Sequence, residues 1–324
     1  MSDAPHLLIP LAASPSAGCQ QALRDLSLPH LDRLLSRMTP AGMDSGEETD
    51  FSPPHERALA RALGLACSAQ GITPWAAWRL VEVGAKGSES TAWAYITPCQ
   101  WHVSADHVTM LDPAALRLTP DSSHELLTIL APWFAEDGID LYMDENDPAR
   151  WIARGDVFEG VATASLDRVI QRDVRAWMPL AENAEHTRRI HRLQTEMQML
   201  LYTHPINDAR AQANLPPVNT FWLHGAGRLT APPPLPQVPP RMPLTLRDPA
   251  LREDWRGWAE AWRALDAGPV AELEKHVASG GRALLTLCGE NNAQQWQSVE
   301  PGWGRRIKRL FTKAPRLQAL QKQL

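Results

Sequence analysis

Three short apolar runs set the strongest limit on how this chain can fold: "HLLIPLAA" at His6–Ala13, "VNTFWL" at Val218–Leu223 and "ALLTLC" at Ala283–Cys288. Strands with so little polar alternation must be covered on both faces. Amphipathic segments between the runs provide the cover. In "LPHLDRLLSRM", Leu31, Leu34, Leu35 and Met38 recur at helical spacing. "SPPHERALARALGLA" places Ser52 and Pro53 at the N-cap and first-turn positions of a second helix. A third spans Ala184–Thr203, with Leu193, Met197, Leu200 and Leu201 on one face. The pattern is that of an α/β protein, and 324 residues suffice for one large core with an insertion.

The middle of the chain reads differently. Ala92–Met110 looks like two strands broken at Thr97-Pro98, followed by a helix over Ser122–Phe134 and strands at Ile139–Met143 and Arg150–Ile152. This order predicts a small α+β insertion over 98–180, between core segments 1–97 and 181–300, with a tail at 301–324. Ala164–Ala176 is expected to be helical, with Thr163 or Ser165 as its cap, and Ala41–Asp50 an acidic loop. The Pro-rich segment "APPPLPQVPPRMP" (Ala231–Pro243) must be extended and semi-rigid, either a surface connector or a ligand for an SH3-like protein partner. Trp255, Trp258 and Trp262 form a helical stripe, expected in the core before it is a stacking platform.

Bulk properties exclude several functions. A net charge of −5 gives no general reason to expect nucleic acid. Beyond Pro301, however, Arg305, Arg306, Lys308, Arg309, Lys313, Arg316 and Lys322 occur without a single acid. This basic tail is expected to fold onto the more acidic remainder of the chain, or else to touch an acidic protein partner, nucleic acid or an anionic membrane. Cys19, Cys67, Cys99 and Cys288 are far apart, with no C-x-x-C, so reduced thiols and a cytoplasmic location are expected. No run approaches the ~20 apolar residues of a membrane span. His102 with His107, and His186 with His191, have spacings that diverge, and no H-E-x-x-H occurs. Ser14, Ser16 and Ser165 lie outside any G-x-S-x-G.

The densest polar cluster is in "LYTHPINDARAQANLPPVNTFWLHGAG" (Leu201–Gly227). Arg210 offers a planar fork for a phosphate or carboxylate, and Gly225-Ala226-Gly227 could bring backbone amides to an anion. His204, Asn207, Asn219 and His224 complete a candidate anion site with Arg210, Gly225 and Gly227. Spacing alone favours a structural turn, since a lone G-x-G is weak and Asn207 and Asp208 are turn formers.

With "ATASLDRVIQRDVRAWMP" upstream and "LTLCGENNAQQW" downstream, this stretch resembles the RpfE-type regulatory proteins of proteobacteria. It also resembles, more distantly, archaeal-type cofactor-independent phosphoglycerate mutases of the alkaline phosphatase superfamily. Their "HPVN…R…PAN…LRGAG" element is similar at His204, Pro205, Asn207, Arg210, Pro217, Asn219, Gly225 and Gly227; "LPHLDRLL" and Cys99-Gln100-Trp101 add to the likeness. The resemblance implies a truncated alkaline-phosphatase/phosphoglycerate-mutase-like sheet core with a small α+β insertion. Those enzymes use two metal ions, but the matching positions here depart from them. "LLIPLAAS" has no acid, only Ser52 with Asp50 stands near the nucleophile position, and "LCGENNAQ" lacks the Asp and His. Without such ligands the attacking hydroxyl stays protonated. The expectation is therefore a catalytically inactive protein without metal or other cofactor, regulatory or binding a phosphorylated or carboxylated small molecule. The alternative is a Mn- or Zn-dependent mutase or phosphatase with Asp50, His55, His204 and His224 as non-standard ligands.

Overall fold

The structure, a computed structural model, describes residues 4–66, 72–85, 90–298, 316–321 and 323–324. The chain forms two compact units, Met1–Leu65 with Pro233–Leu324, and Ala66–Pro232. Its first part supplies β1 (His6–Ile9), α1 (Ala17–Arg24), α2 (Pro29–Leu35), β2 (Met38–Asp44) and α3 (Pro54–Leu63). The second unit supplies α4 (Trp75–Glu82), β3 (Trp93–Cys99), β4 (Trp101–Val103), β5 (Val108–Met110), α5 (Pro120–Glu136), β6 (Asp140–Asp144) and β7 (Asp147–Arg154). It continues with β8 (Val161–Ala162), α6 (Leu166–Val169), β9 (Leu180–Ala181), α7 (Ala184–Thr203), α8 (Pro205–Gln212) and β10 (Thr220–Gly227). The returning chain adds α9 (Arg247–Leu251), α10 (Trp255–Leu265), α11 (Ala271–Ala278), β11 (Leu284–Cys288), β12 (Ala293–Ser298) and a short helix, Leu317–Leu320.

In the first unit the sheet order is β1-β11-β12-β2, with β1 and β11 parallel and the other pairs antiparallel. Leu7, Ile9, Leu285 and Leu287 belong to one large core with Leu31, Leu34, Trp258 and Trp262. Trp258 and Trp262 are wholly buried and meet edge to face at 6.2 Å, so these two of the stripe are core, with Trp255 partly buried against them. A smaller cluster contains Leu8, Ala58, Cys288 and Ala293; burial there pushes the Cys288 thiol well above its ordinary value. The Pro-rich segment forms no helix and bends at Gln237 and Val238 before Arg241 pairs with β1: the Leu8 amide donates to the Arg241 carbonyl at 2.9 Å and the Arg241 amide to the His6 carbonyl at 2.8 Å.

Three readings of this unit need correction. Strand β1 stops at Ile9, and Leu11 follows with φ 52°. Met38 opens β2 instead of closing a helix, so part of the supposed acidic loop is an edge strand despite Pro40 and Gly42. Edge strands tolerate a proline because one flank needs no amide donor. The Gln-rich β12 gave no apolar signal, yet Trp296 is buried and Gln294 donates to the Gly42 carbonyl at 2.8 Å.

The second unit holds an antiparallel sheet in the order β10-β3-β7-β6. Ala94, Ile96, Trp151, Phe221 and Leu223 share a core with Phe134 of α5 and Leu193 and Met197 of α7. Because β3 pairs with β10, this unit is longer at both ends than the 98–180 insertion read from sequence. Strand β3 also runs through Thr97-Pro98, where a break was expected. Its pairing with β7 ends at Ile96, so Pro98 costs no bond on that flank. The expected helix at 164–176 shrinks to α6 and one 3-10 turn, Val174–Trp177. Ser165 caps the first and Asp173 the second, and such side chains divert the backbone from a continuous helix.

Candidate functional site

Each polar residue of the 204–227 stretch is placed by the local chain. His204 joins α7 to α8, and its Nδ1 accepts from the Ile206 amide at 3.2 Å, making it a cap. Asn207 Nδ2 donates to the Leu201 and Val218 carbonyls, both at 2.8 Å, while its Oδ1 accepts from the Val218 amide at 2.9 Å. Arg210, only 5% exposed, donates from Nε to the Pro216 carbonyl at 2.8 Å and from Nη2 to the Leu116 carbonyl at 2.6 Å. Burial lowers its pKa from the ordinary value. Asn219 exchanges both bonds with the Trp101 backbone, each 2.8 Å. His224 Nε2 lies 3.0 Å from Thr97 Oγ1, with its ring 5.2 Å from that of Tyr95.

The glycines answer to the backbone. Gly225 has φ +58°, and a Cβ there would lie 3.0 Å from Trp75 Cβ and 3.1 Å from Tyr95 Cδ2. Gly227 has φ +139° and would meet Pro74 Cβ at 3.2 Å. The register of β10 shifts between them, and the Ala226 amide donates to Thr163 Oγ1 at 3.2 Å. A β-bulge packed against α4 and β3 accounts for both. Gly227 does border a cavity of about 520 Å³, together with Arg228, Glu159 and Glu182. Arg228 is paired with Glu159 at 2.7 Å, and the excess of carboxylates disfavours an anion there.

In the first unit, the carboxyl ends of parallel β1 and β11 are where an α/β sheet commonly takes a ligand. Here the Leu11 and Ala12 carbonyls accept from the indole N–H groups of Trp258 and Trp262, at 2.9 and 3.2 Å. Arg57 ties the neighbouring loops together. It donates to Asp44 Oδ2 at 2.9 Å, to Asp50 Oδ2 at 3.3 Å, and to the Ser52 and Asn291 carbonyls at 2.7 and 2.8 Å. His55 is buried. Among the described residues, no three His, Cys, Asp or Glu side chains are grouped so as to hold a metal ion. The four alternative ligands are divided, Asp50 and His55 in the first unit, His204 and His224 in the second.

A cavity of about 480 Å³ opens elsewhere in the first unit, lined by β1, β2, β11, β12, α3 and the Pro-rich segment at Pro236, Val238 and Pro240. Its polar lining is His6, Thr286, Gln295, Asp44 and Arg61. His6 Nε2 meets Thr286 Oγ1 at 2.8 Å, and burial lowers the imidazole pKa to about 4, so the pair is neutral at pH 7. Asp44 receives Arg57 on one oxygen and Arg61 on the other, at 2.9 and 3.0 Å. The Arg61 side chain remains 56% exposed. Sequence reasoning singled out none of these cavity residues. The only available signal was two polar residues, His6 and Thr286, inside otherwise apolar strands.

No family model matches this sequence, and no curated protein matches it. The chain is a mixed α/β protein with solved neighbours of phosphoglycerate-mutase-like fold. One is a cofactor-independent phosphoglycerate mutase from Thermoplasma acidophilum, 11% identical over 97% of this chain and 94% of that one, with a TM-score of 0.38. Another is a protein from Pyrococcus horikoshii, 10% identical over 99% and 93% of the two chains, with a TM-score of 0.39.

Proposed function

We propose that this chain is a catalytically inactive, phosphoglycerate-mutase-like protein with a regulatory role, exercised by binding a small anion in the cavity of the first unit. The regulatory part of this reading rests on the resemblance to RpfE-type proteins. The anion part rests on one observation: a cavity with a neutral His6–Thr286 pair in its lining and the part-exposed Arg61 fork beside it. A guanidinium can hold a carboxylate or phosphate through two parallel bonds. A neutral imidazole–hydroxyl pair adds directional hydrogen bonding without a competing charge. Alanine, valine and proline side chains along the cavity suit a short carbon body. The reading moves the ligand away from Arg210, Asn207 and Asn219, whose polar atoms already serve the backbone.

Calorimetric titration with 3-phosphoglycerate and with inorganic phosphate tests it, using wild type, Arg61→Ala and Arg210→Ala. Saturable binding that weakens about tenfold in Arg61→Ala, a loss of ~1.4 kcal/mol, is the expected result. Equal affinities in wild type and Arg61→Ala, or no binding at all, remove the proposed site. Mutase turnover on addition of Mn²⁺ to the same protein would instead restore the enzyme reading.

A further inference from the structure

The short helix Leu317–Leu320, with Gln321, Gln323 and Leu324, lies in the first unit with a seat prepared for it. Leu317, Leu320 and Leu324 are buried in the same core as Cys19, Leu23 and Leu26. Gln318 Nε2 donates to the Leu23 and Leu26 carbonyls at 2.9 and 3.1 Å, and Gln321 Nε2 donates to the Ser14 carbonyl at 2.9 Å. On the other side, the Asn292 amide donates to the Leu324 carbonyl at 3.0 Å and Asn292 Nδ2 to the Gln323 carbonyl at 3.0 Å. Gly289 completes the seat. A Cβ there would come within 2.4 Å of Leu324 backbone atoms. Gly289 has no left-handed φ that would call for glycine, so close approach of the segment is what requires it.

Ser14 and Gly289 follow β1 and β11, so the segment covers the carboxyl ends of the one parallel pair among the described strands. We propose that residues 316–321 with Gln323 and Leu324 are a releasable plug over that crevice, distinct from the cavity near Arg61. The closed form is the one described; the open form presents a peptide-recognising groove. Three features make release attainable. A four-residue helix does not sustain itself. Three buried leucines must offset the ordering of the whole segment. The flanking Arg316–Asp32 pair, at 3.8 Å with Arg316 largely exposed, adds little. The groove that opens offers the carbonyls of Ser14, Leu23 and Leu26, the Asn292 amide and three apolar seats, which suits a leucine-bearing peptide with amide side chains.

The test uses the full chain and a fluorescein-labelled peptide, RLQALQKQL, identical to Arg316–Leu324. Leu320→Asp is expected to free the groove and bind the peptide at least about tenfold more tightly than wild type, because a competing plug lowers apparent affinity by the fraction of open molecules. Tryptophan fluorescence and a thermal melt report whether the variant keeps its fold. Hydrogen exchange at the Asn292 amide should accelerate alongside. If Leu320→Asp does not fold, the Gln318→Ala/Gln321→Ala double variant replaces it, with the same direction expected. A folded variant that ignores the peptide, or equal affinity in wild type and variant, overturns the plug.

Discussion

The 204–227 stretch of the second unit and the cavity of the first both place polar side chains in largely apolar surroundings, but they use them in opposite ways. Asn207, Arg210 and Asn219 make seven hydrogen bonds, and every one ends on main-chain atoms. They fasten α7, α8 and the start of β10 where regular ladders cannot reach. Around the cavity, His6 and Thr286 bond side chain to side chain, and Arg61 commits to Asp44 while staying half exposed. Polar density in a sequence therefore does not by itself mark a binding place. What matters is whether the groups have been consumed in holding the chain, or still face open space.

Four measurements test this contrast. The largest effect belongs to Arg210→Ala, which deletes two charged donors and strands two carbonyls, destabilising the protein by ~4 kcal/mol. Arg210→Lys should recover little of it, because an ammonium cannot reproduce the fork. Urea denaturation of the three proteins checks this, and a loss below ~1 kcal/mol would mean the stretch is not structural.

Next comes the pH response of His6. With an ordinary value of 6.5 and a folded value of about 4, the unfolded chain takes up the proton first as pH falls. The stability from neutral His6 is full above pH 6.5 and is lost progressively towards pH 4, by ~3 kcal/mol in all. Denaturation midpoints measured across that window should slope less in His6→Ala than in wild type. Gly225→Ala follows, at ~2 kcal/mol, from the left-handed φ together with the 3.0 Å approach to Trp75; its thermal midpoint reports this. The smallest stability change is Arg61→Ala, within ~0.5 kcal/mol for so exposed a pair, even though this variant is the one expected to bind the ligand about tenfold more weakly. A variant that lost stability and kept the ligand would invert the comparison.

Much of the scaffold could be read from residue spacing. Leu193, Met197 and Leu201 gave α7 its full span, since their periodicity is the face it buries. Trp258 and Trp262 fell in the core as their spacing implied. Strands β2 and β12 escaped, because Pro40, Gly42 and the glutamines Gln294, Gln295 and Gln297 carry no apolar alternation; cross-strand pairing made them strands. The division of the chain was legible only in part, since which strand pairs with β3 is a long-range fact. Site residues were the hardest to recover. Arg210 looks the same in sequence whether its fork meets a phosphate or two carbonyls, and His6 shows its neighbour Thr286 only once β1 and β11 are side by side.

The pairing of Arg241 with β1 has a consequence for life at high concentration. An open sheet rim invites strands of other molecules, the first step towards aggregates. In the first unit, Arg241 already occupies the outer flank of β1, and the prolines before it have no amide hydrogen to offer a newcomer. At the opposite rim, Pro40 interrupts the donors of β2. The sheet is blunted on both sides, so crowding should not zip one copy onto the next through it.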